Sequence, residues 1–445
     1  MNLNLLKRFA FFLNHNSPLK LRLIKRIGDN LFKLQIGANT FYFDLSRGKS
    51  SIFVTEDLLL SPKSYNAPFD KSLEKYCANA FIIKAQVDGE NRILQLFLET
   101  KKSYKALEVI LQAEFTGRNT NLILLNKEQV VLDALRHITP SQSFREVRIN
   151  KKLLPLPQPP SKKVITKREE NVEEDLLMDF KNLFFCKKQE VLGQKILKVS
   201  HHIQQKILHL QGILQTLENQ ELLEQKAKEE LGLGKTIIHN LYHLLDFKGK
   251  EIVLEGKLIV LPPKAHSLSQ AAQIFFENSK KLHKKAKNIY LQENHLQEKI
   301  DFYQNLLEMV QNVTNINDLE ILDSNFQKDS KKKKNDKAFE SFFIEGFKVS
   351  IGKNERENIA LLKEARAEDL WLHIRNIPSS HCIIHCGRNK IPDIIIYKAA
   401  QILVGLLKSY GGSYEVDYTK RKFVKILEGA RVVYAKEQTL SLIKE

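Results

Sequence analysis

The stretch LGQKILKVSHHIQQKILHLQGILQTL, residues 192–217, decides how the chain is organised. Leu192, Ile196, Val199, Ile203, Lys206, Leu210, Ile213 and Leu217 step by fours and threes, the spacing of a helix that packs along another helix. A second stripe runs through Leu282, Ala286, Ile289, Glu293, Leu296, Ile300, Tyr303, Leu307 and Val310. Together they predict an antiparallel coiled-coil arm over 191–325. A helix of about 45 residues extends about 65 Å, which suits reaching across a large partner. Each stripe has one polar slot, Lys206 and Glu293, and pairing Leu217 with Leu282 would bring the slots together. That predicts a register-setting Lys–Glu pair; the alternative is two solvated charges on separate seams. Between the stripes, Gly232, Gly234 and short apolar runs at 252–254 and 258–261 predict a small tip over 232–264.

Outward from the arm, both ends read as mixed α+β. On the N-terminal side, Leu31–Ile36 alternates, Gly37-Ala38-Asn39 turns and Phe41–Leu45 pairs back. Phe81–Ile83, a turn at Asp88-Gly89 and Arg92–Phe97 repeat the pattern, and Leu122–Leu125 is a further strand. The Pro-rich stretch Leu154–Pro160 predicts the end of this domain, 1–160, with a linker over 161–190. Lys331–Lys334 marks a basic linker over 326–337. The remaining residues, 338–445, alternate strands (Phe347–Ile351, Trp371–Ile374, Cys382–His385, Val432–Tyr434) with an apolar helix over 392–408. The fold class expected is therefore α+β and multidomain.

Seventy Lys and Arg against 52 Asp and Glu give a net charge of +18, which points to polyanionic partners. Hydrophobic residues at 43% suit folded domains rather than a disordered polyelectrolyte. Four scattered cysteines predict a reducing compartment, not a disulfide framework. The apolar run Phe9–Leu13 is too short for a signal core, and no stretch approaches the ~20 apolar residues of a spanning helix. A soluble cytoplasmic protein with no membrane partner is expected.

The usual phosphate-binding, dinucleotide-binding and serine-hydrolase motifs are absent, so neither an enzyme nor a cofactor is expected. His381, Cys382, His385 and Cys386 mimic zinc ligands. On a strand, however, the histidines would face one side and the cysteines the other, so ordinary strand packing is the expected reading and no metal is. His239 and His243 share a helical face without a third ligand. Arg92, Arg118, Arg136, Arg145 and Arg148 lie at strand ends among Asn119, Thr120 and Asn121. Arginines so placed can grip phosphates bidentately and read base edges, although composition alone leaves them ordinary surface residues.

Glu114-Phe115-Thr116-Gly117-Arg118-Asn119-Thr120-Asn121, followed by the apolar run Leu122–Leu125, resembles the N-terminal signature of the NFACT family. Ala271–Phe276 after Ile259–Leu261 is similar to its middle segment. Asp369-Leu370-Trp371-Leu372-His373, then Ile377-Pro378-Ser379-Ser380-His381, with Val416–Thr419 and Gly429-Ala430, resembles its C-terminal module. The family includes ribosome quality-control factors and proteins described as fibronectin-binding.

The resemblance implies a glycosylase-N-like first domain, a coiled-coil arm and an NFACT-R-like last domain. It implies a factor that binds the large ribosomal subunit, through rRNA, together with its peptidyl-tRNA nascent-chain complex. Such a factor recruits tRNA, alanyl-tRNA in bacterial members, for C-terminal tailing. The implied tRNA-binding residues are Asn91, Arg92, Arg118, Asn119, Asn121 and Arg145; those of the C-terminal motif are Asp369, Trp371, His373, Pro378 and His381.

There are departures. Asn91 stands where the family has Asp, Asn119-Thr120 replaces His-Ser, and Ser379 replaces Gly. The helix-hairpin-helix module is expected to be missing or reduced, because 161–190 contains no glycine. The alternative reading is a fibronectin-binding adhesin. A DNA glycosylase would need an N-terminal Pro nucleophile, and Asn2 and Leu3 follow Met1.

Overall fold

In the computed structural model, the described residues are 1–59, 61, 63–102, 105–159, 172–243, 249–323, 339–387, 389–408 and 411–444. Lys331–Lys334 lies outside them. They form two compact units, Met1–Val191 and Leu192–Glu445. Among the described residues no helix is long and apolar enough to cross a membrane.

The first unit opens with helix α1 (Leu3–His15), capped by the Asn2 side chain. It buries Leu6, Phe9 and Leu13 on one face. Strands β1 (Leu19–Arg26), β2 (Leu31–Ile36), β3 (Asn39–Asp44) and β4 (Ser51–Phe53) follow, then helix α2 (Pro68–Cys77). Next come β5 (Ala80–Val87), β6 (Ile93–Lys102), β7 (Lys105–Glu114), β8 (Asn121–Leu125) and β9 (Val131–Ala134). All pair antiparallel in the order β4-β3-β2-β1-β5-β6-β7-β8-β9. The β2–β3 and β5–β6 hairpins are those the alternation predicts, because an apolar period of two can bury only one strand face.

Helix α3 (Val172–Gln215) takes up 172–190 of the linker expected over 161–190, whose first part, 161–171, lies outside the described residues. Its early residues Leu176 and Phe180 are fully buried in the first unit's core, with Phe180 edge-on to Phe9 and Phe41. The Pro-rich stretch also does not leave the domain at once. Leu156 is buried, and Gln158 Oε1 accepts the Glu90 amide at 2.8 Å over the β5–β6 turn.

In the second unit, α4 (Gln220–Asn240) runs antiparallel to α5 (Leu268–Gln311), which is the long helix pair. Gly232 and Gly234, expected to open the tip, lie inside α4. Gly234 is there for close approach: a Cβ would meet the Phe276 ring at 2.7 Å. The β10 (Glu251–Leu254) and β11 (Lys257–Val260) hairpin lies between the two helices in sequence. The expected Lys206–Glu293 pair is replaced. Lys206 Nζ bonds Glu340 at 3.1 Å and sits over the Tyr303 ring, and Glu293 is exposed. Leu217 and Leu282 do share a small cluster. The register cannot be run back from it, because α3 ends at Gln215 and Asn219 caps a new helix.

The unit continues with α6 (Ile316–Leu322), β12 (Glu340–Ile344), β13 (Phe347–Ile351), α7 (Glu355–Glu364), β14 (Leu370–Ile374) and β15 (Cys382–His385). It ends with α8 (Asp393–Gly405), β16 (Gly412–Lys420), β17 (Val424–Ile426), β18 (Val432–Tyr434) and β19 (Gln438–Lys444). The main sheet has the order β12-β13-β15-β14-β16-β19. Ile203 and Ile207 of α3, and Ile300, Leu306 and Val310 of α5, are buried in one core with Ile344, Ile374 and Leu403. The lower parts of these helices are thus part of the sheet module's hydrophobic core.

Candidate functional site

The NFACT-like residues of the first unit meet where β6 begins and β7 ends. Ile93 pairs with Glu114, and the Phe115 amide donates to the Arg92 carbonyl at 2.8 Å. The β5–β6 turn and the loop after β7 are therefore neighbours on a rigid sheet end. Arg92 is exposed there, and among the described residues its Nη1 donates only to the Met1 carbonyl, at 3.2 Å. Gly117 has φ of 68°, a left-handed conformation that favours glycine, and open space surrounds its missing Cβ. Asn119 is half-buried beside it. The side chains of Arg118 and His243 lie outside the described residues.

Three of the expected RNA ligands have structural work instead. Asn91 is buried, and its Nδ2 donates to Asp88 Oδ2 at 3.1 Å and to the Leu156 carbonyl at 3.3 Å. An aspartate at 91 would offer no donor to that carboxylate, so here the residue braces the turn. Asn121 is buried and bonds both backbone groups of Arg136. Arg145 is 3% exposed and grips Glu114 through Nη1 at 3.0 Å and Nη2 at 2.7 Å, with Nε on the Leu154 carbonyl. Three of its five N–H donors are used in this way, and burial closes the fork to a phosphate. Glu114 also ends a ladder across three strands, in which Gln86 bonds Gln95, Gln95 bonds Gln112, and Gln112 bonds Glu114. Sequence reading missed this ladder, although the alternate polar positions 86, 95 and 112 in apolar strands were its signal.

The C-terminal motif residues sit on β14, β15 and the turn between them. Trp371 is fully buried, and its Nε1 donates to His381 Nδ1 at 3.0 Å. The His373 ring lies parallel to the indole, with centroids 5.7 Å apart, and the Tyr434 ring is tilted against the same indole at 4.8 Å. The His381 amide donates to Asn358 Oδ1. Asp369, 1% exposed, accepts from the Arg366 and Cys386 amides and lies 3.2 Å from His385 Nδ1. Pro378 is exposed at the turn. The Ser379 hydroxyl, where the family has glycine, is buried without a partner. Cys382 and Ile384 point into one core and Ile383 joins Trp371 in the other, as strand alternation requires. This is a packed polar–aromatic core rather than an open cleft. Only His373 and Pro378 of the five motif residues keep surface.

Burial pushes His381 down to about 3, with His373 adding to the effect. Burial lowers His373 too. Protonating His381 Nδ1 would also remove the acceptor of Trp371. The folded value lies below the unfolded value of about 6.5, so the unfolded chain takes up protons first as pH falls. Stability from His381 is full above pH ~6.5 and is lost at about 1.4 kcal/mol per pH unit towards pH ~3. Urea midpoints followed by Trp371 fluorescence should fall between pH 7 and pH 5. Identical midpoints would mean that the imidazole is not held neutral.

The family model for the NFACT N-terminal and middle domains matches residues 61–243. A 239-residue stretch, 48% of the chain, is 28% identical to the Rqc2 homolog RqcH of Bacillus subtilis (strain 168). These two matches support membership of the NFACT family. The match covers 41% of that relative, so the chain spans less than half the length of the curated relative it matches. Among solved structures, this chain is similar to the N-terminal part of the fibronectin/fibrinogen-binding protein FBPS of Streptococcus suis. That match has 18% identity, covers 62% of this chain and 98% of the other, and has a TM-score of 0.32. It is also similar to the N-terminal domain of fibronectin-binding protein PavA of Streptococcus pneumoniae, at 20% identity over 38% and 67% of the two chains, with a TM-score of 0.31. At such scores the likeness goes no further.

Proposed function

We propose that this protein is a cytoplasmic ribosome-associated quality-control factor. In this reading it binds the large ribosomal subunit carrying peptidyl-tRNA and recruits tRNA, alanyl-tRNA by family resemblance, for C-terminal tailing of stalled chains. Peptide-bond formation belongs to the ribosome, and the protein is a positioning factor rather than an enzyme. The α4–α5 pair serves as its coiled-coil arm, and the first unit is its glycosylase-N-like RNA-binding domain.

The observation that carries the reading is the exposed Arg92 held against the Gly117 loop on a rigid sheet end, in a chain of net charge +18. A fixed, accessible guanidinium beside an open backbone loop suits phosphate contact. The similarity to RqcH supports the same reading. With no aspartate at 91, the acid–arginine pair of the family is incomplete, and tailing depends on whether Arg92 alone suffices.

Replacing Arg92 with Ala should leave folding intact and weaken tRNA binding about equally across tRNA species. It should also lower the slope of log affinity against log salt by about 1. Equal co-purification of tRNA with R92A would move the site elsewhere. Sedimentation with large subunits supports the reading, whereas recovery of the protein from the surface of intact cells would favour an adhesin.

A further inference from the structure

We propose that Arg136 and Arg47 form a second phosphate site of the first unit, in which Arg47 closes on an RNA phosphate over the fixed charge of Arg136. The proposal rests on the RNA-binding reading above and adds a contact on the far side of the Gly117 loop.

Arg136 follows β9 and is half-buried. Its Nη1 donates to the Thr120 carbonyl at 2.6 Å, and its Nη2 donates to Asn30 Oδ1 at 2.5 Å and the Leu45 carbonyl at 2.9 Å. All three acceptors are neutral, and among the described residues no carboxylate lies within ion-pair distance. Three loops thus hold the guanidinium in place without cancelling its charge. Partial burial leaves that charge less screened than one in bulk water. Nε and one hydrogen of Nη1 remain to donate.

Arg47 lies two residues beyond Leu45, on the β3–β4 turn. It is exposed, and among the described residues it has no hydrogen-bond or ion-pair partner. Arg26 is anchored on the neighbouring β1–β2 turn, which also presents Asn30, through the Gly28 and Asp29 carbonyls. Burial, then Arg47 and Arg26, disfavour the charged form of Arg136, which agrees with cations crowded in one place.

The acidic groups around them are engaged elsewhere. Asp29 bonds Lys63 at 2.9 Å and Tyr65 at 3.0 Å, and Asp44 pairs with Lys187. Asp133 accepts from Ser72 and lies near His137. Asp70 is the exception: it pairs with Arg26 at 4.0 Å and offsets that cation, but among the described residues it makes no ion pair with Arg136 or Arg47. The local balance stays positive, and an anion would complete it. A phosphate fits the planar fork of a free arginine, and the Thr120 carbonyl that holds Arg136 ties the position to the loop after β7, which Arg92 also adjoins.

The test uses the full chain with bulk tRNA as probe, measuring affinity across a salt series for wild type, R47A, R47K, R47E and R92A. R47A should raise Kd about fivefold near 0.1 M salt and lower the salt slope by about 1. R47K should recover part of the loss, and R47E should bind more weakly than R47A. R47A and R92A should add on a logarithmic scale. If wild type binds and R92A weakens binding while R47A and R47E match wild type, the second site is overturned and the RNA reading stands. If wild type does not bind tRNA at all, both fall.

Discussion

Replacing Arg145 with Met should destabilise the first unit by about 3–5 kcal/mol, because the change leaves the Glu114 carboxylate buried without its cation. The pair is closed to solvent on both sides, at 4% and 1% side-chain exposure, and Arg145 also satisfies the Leu154 carbonyl. Glu114 is joined to the Gln86–Gln95–Gln112 ladder, so an orphaned charge would disturb polar groups on three strands. The double variant E114Q/R145M should recover most of the loss, since it removes the charge along with its partner. The chain's single tryptophan, Trp371, lies in the second unit. The R145M transition should therefore appear in circular dichroism without a matching shift in tryptophan fluorescence. If R145M keeps its stability but loses tRNA, Arg145 is a ligand after all and the buried pair is not structural.

Trp371→Ala should cost the second unit about 3–5 kcal/mol, the range for deleting a large buried aromatic. The side chain is fully buried among Leu361, Leu362, Ile383 and Val424. Its loss also leaves the buried His381 Nδ1 without its donor. Trp371→Phe separates the two effects: it keeps most of the packing and loses the hydrogen bond, so about 1–3 kcal/mol should remain. Urea unfolding followed by circular dichroism measures both variants, because fluorescence is lost with the indole. If W371F and W371A were equal, the hydrogen bond to His381 would carry the whole effect. If W371F matched wild type, the bond would carry none of it.

These two residues mark the line between what could be read from the chain and what could not. Alternating Leu31–Ile36, the turn glycine at 37 and the three-and-four spacing of Leu192, Ile196 and Val199 each state their secondary structure within a few residues. Local backbone preference and the period of burial are short-range properties, and the sequence alone determined them. It also carried the family resemblance, since the 114–126 and 369–381 signatures are each a contiguous stretch. Helix α1 and the start of α3 were not legible as such. The first was read only as a short apolar run, and the second lies in a segment read as linker.

The fate of individual charges was decided only by tertiary structure. Arg92 and Arg145 look alike in sequence, yet one is exposed at a turn and the other locks onto Glu114 across 31 positions. Lys206 chose Glu340, 134 positions away, over the Glu293 its heptad slot proposed. Whether a guanidinium or ammonium is spent inside or left for a ligand depends on which acceptor the fold brings within about 3 Å. That acceptor can come from anywhere in the chain.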